Sequence, residues 1–262
     1  MRQVQKNPLK SFVVLSYVIF FVLFIVIGLS ILLGAPESVT FTLQIIAAWS
    51  STFSFIILFR RIYPSLRLID FIKQQFAPSL RFSVLSIIVI IQVVIIAVTV
   101  LLLSMQSDSQ GLAFLSFPSL GIMMLAFLDN LVRGPLGEEL GWRGYALNEL
   151  QKKYSPLKSA LIVGVLWGFW HTPLWFASGY TGVNLIKYSL LFMIGILSFS
   201  IIVTLFYNLN KNLMIPIVIH QLFNFSLVMV KGDLLNILGY VMLSYFVVAI
   251  LLIFINPRKI LY

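Results

Sequence analysis

The sequence predicts an all-α polytopic membrane protein. Of its 262 residues, 60% are hydrophobic and only 10% are charged, whereas a soluble domain is roughly a quarter charged and just under half apolar. The apolar residues form long runs with Lys and Arg at their edges, which indicates membrane topology rather than nucleic-acid binding despite the net charge of +10. Cysteine is absent, which excludes disulfides, Cys-based zinc sites and thiol nucleophiles.

Eight apolar runs are candidates for transmembrane helices, since a hydrocarbon core about 30 Å thick needs roughly 20 apolar residues per helix. They are Ser11–Gly34, Val39–Phe59, Ser83–Leu103, Leu112–Asn130, Ser159–Phe176, Leu185–Tyr207, Leu213–Val230 and Asn236–Ile255. The first run follows a basic stretch but is too long for the apolar core of a signal peptide. No A-x-A-like cleavage site follows it, so we expect an uncleaved anchor.

The distribution of Lys and Arg predicts both termini in the cytoplasm. With eight spans and the N-terminus inside, the inner segments hold fourteen of these residues and the outer segments hold two, the bias expected of cytoplasmic loops. The inner residues are Arg2, Lys6, Lys10, Arg60, Arg61, Arg67, Lys73, Arg81, Lys152, Lys153, Lys158, Lys211, Arg258 and Lys259. The outer residues are Lys187 and Lys231.

We expect a single transmembrane domain over residues 1–262, because no linker long enough to separate two domains is present. The longest polar stretch, 60–81, mixes charges with Ile, Leu and Phe, which is typical of an interfacial helical segment beside anionic lipid. No internal repeat points to a transporter built from inverted halves.

Half of the eight acidic residues fall between Asp129 and Glu149, and ionisable groups inside spans are functional candidates by default. Glu138 and Glu139 are adjacent, so on a helix they point about 100° apart and serve different purposes. Glu139 and Arg143 have the i,i+4 spacing of an intrahelical ion pair. Glu138 has no obvious local cation, and a carboxylate in such an apolar setting suits a general base near neutral pH.

Both histidines of the chain lie inside apolar spans. Asn224 follows His220 by one helical turn, so both side chains share a face. Taken singly, an intramembrane His is often an interhelical hydrogen-bonding group, and a lone Glu–Arg pair is more often structural than catalytic. The coincidence of three polar clusters, the Glu pair, His171 and His220 with Asn224, predicts one convergent active site, buried between helices four, five and seven.

These residues resemble the CAAX-protease and bacteriocin-processing family, the Abi-type intramembrane peptidases related to type II CAAX prenyl endopeptidases. The family pattern is E-E-x-x-x-R, then F-x-x-x-H, then H-x-x-x-N or D. The first and third parts are complete here, and in the second part Trp167 replaces the usual Phe four residues before His171. The resemblance covers about residues 129–225, within a predicted family core of 112–230, whereas the first three spans match only in being apolar.

The resemblance implies an endopeptidase that hydrolyses a peptide bond near the cytoplasmic side of the membrane. Glu138 would activate the attacking water, and His171 would hold that water. His220 and Asn224 would hydrogen-bond the developing oxyanion. These roles match the chemical needs of amide hydrolysis, which are a base for the attacking water and preorganised hydrogen-bond donors for the tetrahedral oxygen.

The same resemblance implies that the Glu139–Arg143 pair braces the helix and orients Glu138. Members of the family are often called metallopeptidases, and Glu138, His171 and His220 would make the His₂Glu set of a catalytic zinc site. The H-E-x-x-H helix of zincins is absent. A glutamate-dependent hydrolase without tightly bound metal is therefore slightly favoured, and zinc stays an alternative.

Two other functions compete with the peptidase. A non-catalytic family member could serve as a bacteriocin-immunity or membrane scaffold protein, and a transporter could carry protons on buried Glu and His. The complete set of polar motifs argues against the scaffold, and the missing internal repeat and the motif order argue against the transporter. The expected setting is the bacterial cell membrane, with a peptide or membrane-protein substrate and no nucleic acid.

The chain course before Glu138 is left open by the sequence. The fourth span, Leu112–Asn130, is already long enough to cross, yet the resemblance needs Glu138 within the membrane. Either the helix begins later and runs to about Tyr145, or the chain breaks at Gly134-Pro135 and re-enters within protein.

Overall fold

The computed structural model describes residues 7–106 and 111–262, and within those ranges the chain is helical without any β-strand. One isolated bridge pairs Leu115 with Val230. The predicted topology residues Arg2 and Lys6 lie outside the described residues. The helices are α1 Pro8–Leu32, α2 Glu37–Ala48, α3 Ser50–Ile62, α4 Leu68–Phe76, α5 Phe82–Met105, α6 Leu120–Val132, α7 Pro135–Glu139, a π-helix Leu140–Leu147, α8 Asn148–Gln151, α9 Pro156–Trp170, α10 Thr172–Phe176, α11 Gly182–Asn210, α12 Met214–Val228 and α13 Leu234–Ile255, with short 3₁₀ turns at Gly111–Phe114 and Pro257–Lys259.

Each of the eight predicted spans coincides with helical structure, so the prediction of an all-α polytopic membrane protein is confirmed. Five helical stretches are long and apolar enough to cross a membrane, and the bent pair of α2 and α3 makes a sixth if it is one span. The other two predicted spans correspond to the shorter apolar helices α9 and α12. The number of eight spans stays a prediction, because helices are identified as spans by their length and composition alone. The orientation in the membrane also stays a prediction.

The fourth span begins later than predicted. Residues from Leu120 to Gln151 form one apolar helical stretch, interrupted between α6 and α7 at Arg133 and Gly134, whereas the predicted start at Leu112 falls in a 3₁₀ turn. The helix therefore begins later than Leu112, as the first of the two alternative chain courses supposed. It is also interrupted at Gly134, where the second alternative placed a break. A π-helix follows Glu139 directly, and such segments are rare and frequent at functional sites.

The break between α2 and α3 packs against the break before Glu138. The two helices bend by 51° at Trp49, whose indole N–H donates to the Val132 carbonyl at 2.8 Å. A Cβ atom on Gly137 would lie 2.6 Å from the Trp49 ring, so only glycine allows this contact. The Ser51 hydroxyl lies 3.3 Å from the carbonyl oxygens of both Gly137 and Glu138. The N-terminal half therefore holds the backbone that carries the glutamate pair.

One end of the helix bundle, here called the basic end, collects the loops that are rich in Lys and Arg. There the Leu213 N–H donates to the Gln75 carbonyl at 2.8 Å and the Leu157 N–H to the Leu261 carbonyl at 3.0 Å. Six buried rings pack above these loops, with neighbouring centroids 5.0–5.7 Å apart, in the range where aromatic pairs add stability beyond burial. This aromatic cluster consists of Phe12, Phe55, Phe59, Phe71, Trp142 and Tyr145.

Candidate active site

The three sequence motifs converge on one cavity of about 840 Å³. Glu138 from α7, His171 from the end of α9, and His220 and Asn224 from α12 all line it. α9 and α12 belong to the predicted spans five and seven, whereas α7 lies beyond the predicted end of span four at Asn130, in the helical stretch that runs from Leu120 to Gln151. Glu139 and Arg143 are buried directly behind this lining.

Glu138 makes its direct contact with an aromatic side chain rather than with a cation. The Trp167 indole N–H donates to Glu138 Oε2 at 2.6 Å. None of the salt bridges formed within residues 7–106 and 111–262 involves Glu138. The base suggested by the sequence is thus a buried carboxylate that faces a cavity and is oriented by one N–H donor.

Glu139 serves a different purpose, as the angular separation of adjacent helical residues predicts. Its Oε1 accepts from Arg143 Nη1 at 3.1 Å and from His220 Nδ1 at 2.7 Å. The intrahelical pair predicted from the spacing is present, and the contact with His220 links it across to α12. All three side chains are almost completely buried, so Glu139 is the counter-charge for the Arg143 guanidinium and a hydrogen-bond partner for His220, away from water.

Trp167 connects more of the site than its motif position suggests. Its ring lies 4.1 Å from the guanidinium carbon of Arg143, a cation–π contact. Its carbonyl oxygen lies 2.8 Å from His171 Nδ1. Both imidazole rings meet the indole edge to face at 5.3 Å. Sequence reasoning missed these contacts, and the only signal was the replacement of Phe by a residue with an N–H donor.

The partners of the histidines fix which ring nitrogen carries hydrogen. A carbonyl oxygen only accepts, so His171 Nδ1 must donate to the Trp167 carbonyl. By the same reasoning His220 Nδ1 donates to the Glu139 carboxylate. A neutral ring then presents Nε2 as an acceptor, and a protonated ring presents it as a donor. The expected oxyanion contact of His220 therefore requires the protonated ring, with Glu139 as its counter-charge.

Gly134 supplies the space in which two of these polar groups meet. A Cβ atom at this position would lie 2.7 Å from Asn224 Nδ2 and 3.7 Å from His220 Nε2. The same atom would lie 3.0 Å from the Asn130 carbonyl oxygen. The break in the fourth span thus exposes backbone to the two side chains expected to bind an oxyanion, and glycine leaves room for them.

The three residues of the zinc alternative, Glu138, His171 and His220, do not form a metal-binding group in this arrangement. In the part of the chain that the structure describes, no group of three or more His, Asp and Glu side chains could hold one metal ion. Glu138 Oε2 accepts the Trp167 indole N–H, so this carboxylate oxygen already has a protein partner. The arrangement does not fit the His₂Glu set, and no step below runs through a metal.

Comparison with known proteins agrees with the motif resemblance. Residues 119–226 match the family model described as type II CAAX prenyl endopeptidase Rce1-like. A protein of Methanococcus maripaludis named CAAX prenyl protease 2 is 38% identical over 94 residues, which are 34% of this chain and 35% of that relative. The match thus spans about a third of the relative's length. The matched residues 119–226 are less than half of this chain, contain all six predicted site residues and Trp167, and are similar to the Rce1-like type II CAAX prenyl endopeptidases.

Proposed function

We propose that this chain is an intramembrane endopeptidase in which Glu138 activates a water molecule. The observation that carries the proposal is the shared cavity: the Glu138 carboxylate, both histidines and Asn224 line the same space. Glu138 is buried and has no ion-pair partner among the described residues. A positioned carboxylate of this kind is suited to take a proton from water.

The reaction follows from this placement. Water held between Glu138 and His171 Nε2 attacks the peptide carbonyl carbon, and Glu138 takes its proton. The carbonyl oxygen, now negative, accepts hydrogen bonds from Asn224 Nδ2 and from His220 Nε2 beside Gly134. The C–N bond then breaks, and the proton on Glu138 passes to the leaving amine. Water supplies the new carboxyl oxygen, so atoms and charge balance.

Glu139 and Arg143 act as positioning residues in this scheme. Glu139 holds the His220 ring through Nδ1, which directs Nε2 away from Glu139. Arg143 neutralises Glu139 and lies against the Trp167 ring, whose N–H orients Glu138. The scaffold alternative needs none of these orientations.

We further propose a bacterial cell membrane as the location, with both termini in the cytoplasm and a peptide or membrane-protein substrate. The charge bias of the loops supports this orientation. The relative's name refers to a CAAX prenyl protease, which supports peptide hydrolysis here more directly than any particular substrate.

Proteolysis by the detergent-purified protein on a fluorogenic peptide library tests the proposal. Wild type should cleave members of the library, and Glu138→Ala should not. Elemental analysis of the same sample measures bound zinc, and one equivalent of zinc would contradict the metal-free scheme. A cleavage pattern shared by wild type and Glu138→Ala would refute the assigned role of Glu138. If neither protein cleaves and a cellular phenotype is equally insensitive to Glu138→Ala, the enzyme proposal fails.

A further inference from the structure

Gln92 is a polar side chain in the middle of a long aliphatic stretch of α5. Residues 87–91 and 93–98 on either side of it are all Ile, Val or Ala, and the Gln92 side chain is buried. Burying an amide in apolar surroundings costs free energy unless the amide finds hydrogen-bond partners. A Gln in the middle of an apolar span therefore indicates a specific partner on a neighbouring helix.

The partners of Gln92 lie on two other helices. The Tyr245 hydroxyl of α13 donates to Gln92 Oε1, and Gln92 Nε2 donates to Ser226 Oγ of α12 at 2.7 Å. The Ser226 hydroxyl donates in turn to the Phe223 carbonyl at 2.8 Å. Because an amide both accepts and donates, Gln92 joins α13 to α12 through a continuous chain of hydrogen bonds. Gln92 and Tyr245 both lie outside the matched residues 119–226.

α12 presents different faces to this polar chain and to the candidate active site. Ser226 follows Asn224 by two residues, so their side chains point about 200° apart around the helix axis. His220 and Asn224 line the cavity of the candidate active site, whereas Ser226 lines a separate cavity together with Gln92. Gln92 thus holds α12 from the side opposite to Asn224.

Asn224 depends on this hold more than His220 does. The His220 ring is fixed by its own hydrogen bond to Glu139. The Asn224 side chain has no hydrogen-bond partner among residues 7–106 and 111–262, so the rotation of α12 about its axis decides where the amide points. The space for that amide is narrow, because a Cβ atom on Gly134 would lie 2.7 Å from Asn224 Nδ2. A small rotation of α12 would therefore move the amide away from the site.

Aromatic packing carries the same constraint to the His220 ring. The Phe223 ring meets the Tyr245 ring edge to face, with centroids 5.2 Å apart, and lies 5.3 Å from the Phe199 ring. The Phe199 ring in turn lies 5.6 Å from the His220 ring. Tyr245 thus contacts α12 through its ring as well as through the hydrogen-bond chain, and the His220 ring reports on this packing.

We propose that Gln92 and Tyr245 are positioning residues, which set the rotation of α12 through Ser226 and so direct the Asn224 amide to the developing oxyanion. This role rests on the proposed peptidase function. Oxyanion stabilisation is sensitive to such placement, because a misplacement of about 1 Å can cost roughly a hundredfold in rate. Loss of an interaction made only in the transition state lowers kcat and leaves KM nearly unchanged.

The paired variant Gln92→Met with Tyr245→Phe tests this role. Replacing both partners of a buried hydrogen bond by apolar groups of similar shape can be nearly neutral for stability. Ser226→Ala cuts the same link at α12 and serves if the paired variant does not fold. Tyr240→Phe is the matched control in α13, since the Tyr240 hydroxyl has no hydrogen-bond partner in the described part of the chain. Each variant is also combined with Asn224→Ala.

We expect the paired variant to unfold like wild type, with kcat on a library peptide lowered roughly tenfold and KM little changed. Tyr240→Phe should cleave at the wild-type rate. In the Asn224→Ala background no amide is left to direct, so the paired substitutions should have little further effect on kcat. A stable paired variant with wild-type kcat would overturn the proposal. Equal losses of kcat with and without Asn224 would overturn it as well.

Imidazole resonances give a readout that needs no substrate. The chain has two histidines, so protein labelled with ¹⁵N-histidine gives two sets of ring signals, and His171→Gln identifies those of His220. We expect the paired variant to shift the His220 signals and to leave those of His171 in place, and Tyr240→Phe to shift neither. Unshifted His220 signals, or equal shifts of both rings, would overturn the positioning role. A shift of His220 alone in a protein that cleaves nothing would remove the peptidase function and leave the hold on α12 intact.

Discussion

The two adjacent glutamates should differ strongly in how much the same substitution destabilises the fold. Glu139→Gln removes the negative charge that Arg143 and His220 share, and both of those side chains are buried. Glu138→Gln removes a charge that no described cation contacts directly, and the Trp167 N–H can still donate to the new amide oxygen. We therefore expect Glu139→Gln to destabilise the fold and Glu138→Gln to leave it nearly intact.

The magnitude follows from what each change leaves behind. Breaking a buried ion pair by removing one partner costs about 3–5 kcal/mol, because the other charge stays buried without compensation. In Glu138→Gln a hydrogen bond to a charged acceptor becomes a hydrogen bond to a neutral one, which costs about 1 kcal/mol. The difference between the two variants is therefore several times the cost of the smaller change.

Unfolding of the purified variants in one detergent, followed by circular dichroism against temperature or SDS, measures this difference. Wild type and Gly121→Ala are the references, since a Cβ at Gly121 meets nothing within 4 Å. Equal destabilisation of Glu138→Gln and Glu139→Gln would refute the separate duties assigned to the two carboxylates. So would a Glu139→Gln protein as stable as wild type.

Three further predictions concern groups around the carboxylates. In Gly134→Ala the new Cβ atom would lie 2.7 Å from Asn224 Nδ2 and displace that amide, so the cleavage rate should fall strongly. Gly121→Ala should cleave at the wild-type rate. Equal cleavage rates for these two variants would contradict the crowding at Gly134. Trp167→Phe keeps a ring but removes the N–H donor to Glu138, and a hydrogen bond to a charged acceptor contributes about 1.5–3 kcal/mol. We therefore expect kcat to fall roughly tenfold or more with little change in KM. An unchanged kcat would exclude the role of Trp167 in orienting Glu138. Arg143→Lys keeps the charge but loses the planar contact with the Trp167 ring, so thermal unfolding should occur at a lower temperature than in wild type; an unchanged unfolding temperature would show that charge alone suffices.

Local spacing made part of this molecule predictable. The apolar runs gave the helices because their lengths are fixed by the bilayer, and the i,i+4 spacing gave the Glu139–Arg143 pair. Adjacent positions on a helix also separated the duties of Glu138 and Glu139. Each of these inferences uses only helix geometry over a few residues.

Contacts between distant segments could not be predicted in the same way. The approach of His220 to Glu139, and of Trp167 to Glu138, depends on how α7, α9 and α12 pack, and no local rule gives that packing. The late start of the fourth span was missed because residues from Leu112 onwards are as apolar as a true span.

Glu138 activates water, and the rest of the site keeps its structure when the Glu138 carboxylate is removed. The most direct test measures cleavage and unfolding on the same preparations of wild type and Glu138→Gln, with a peptide taken from the library as substrate. The account predicts nearly unchanged unfolding and loss of cleavage by at least about a hundredfold, the contribution typical of a general base. A stable Glu138→Gln protein that cleaves at the wild-type rate would contradict it.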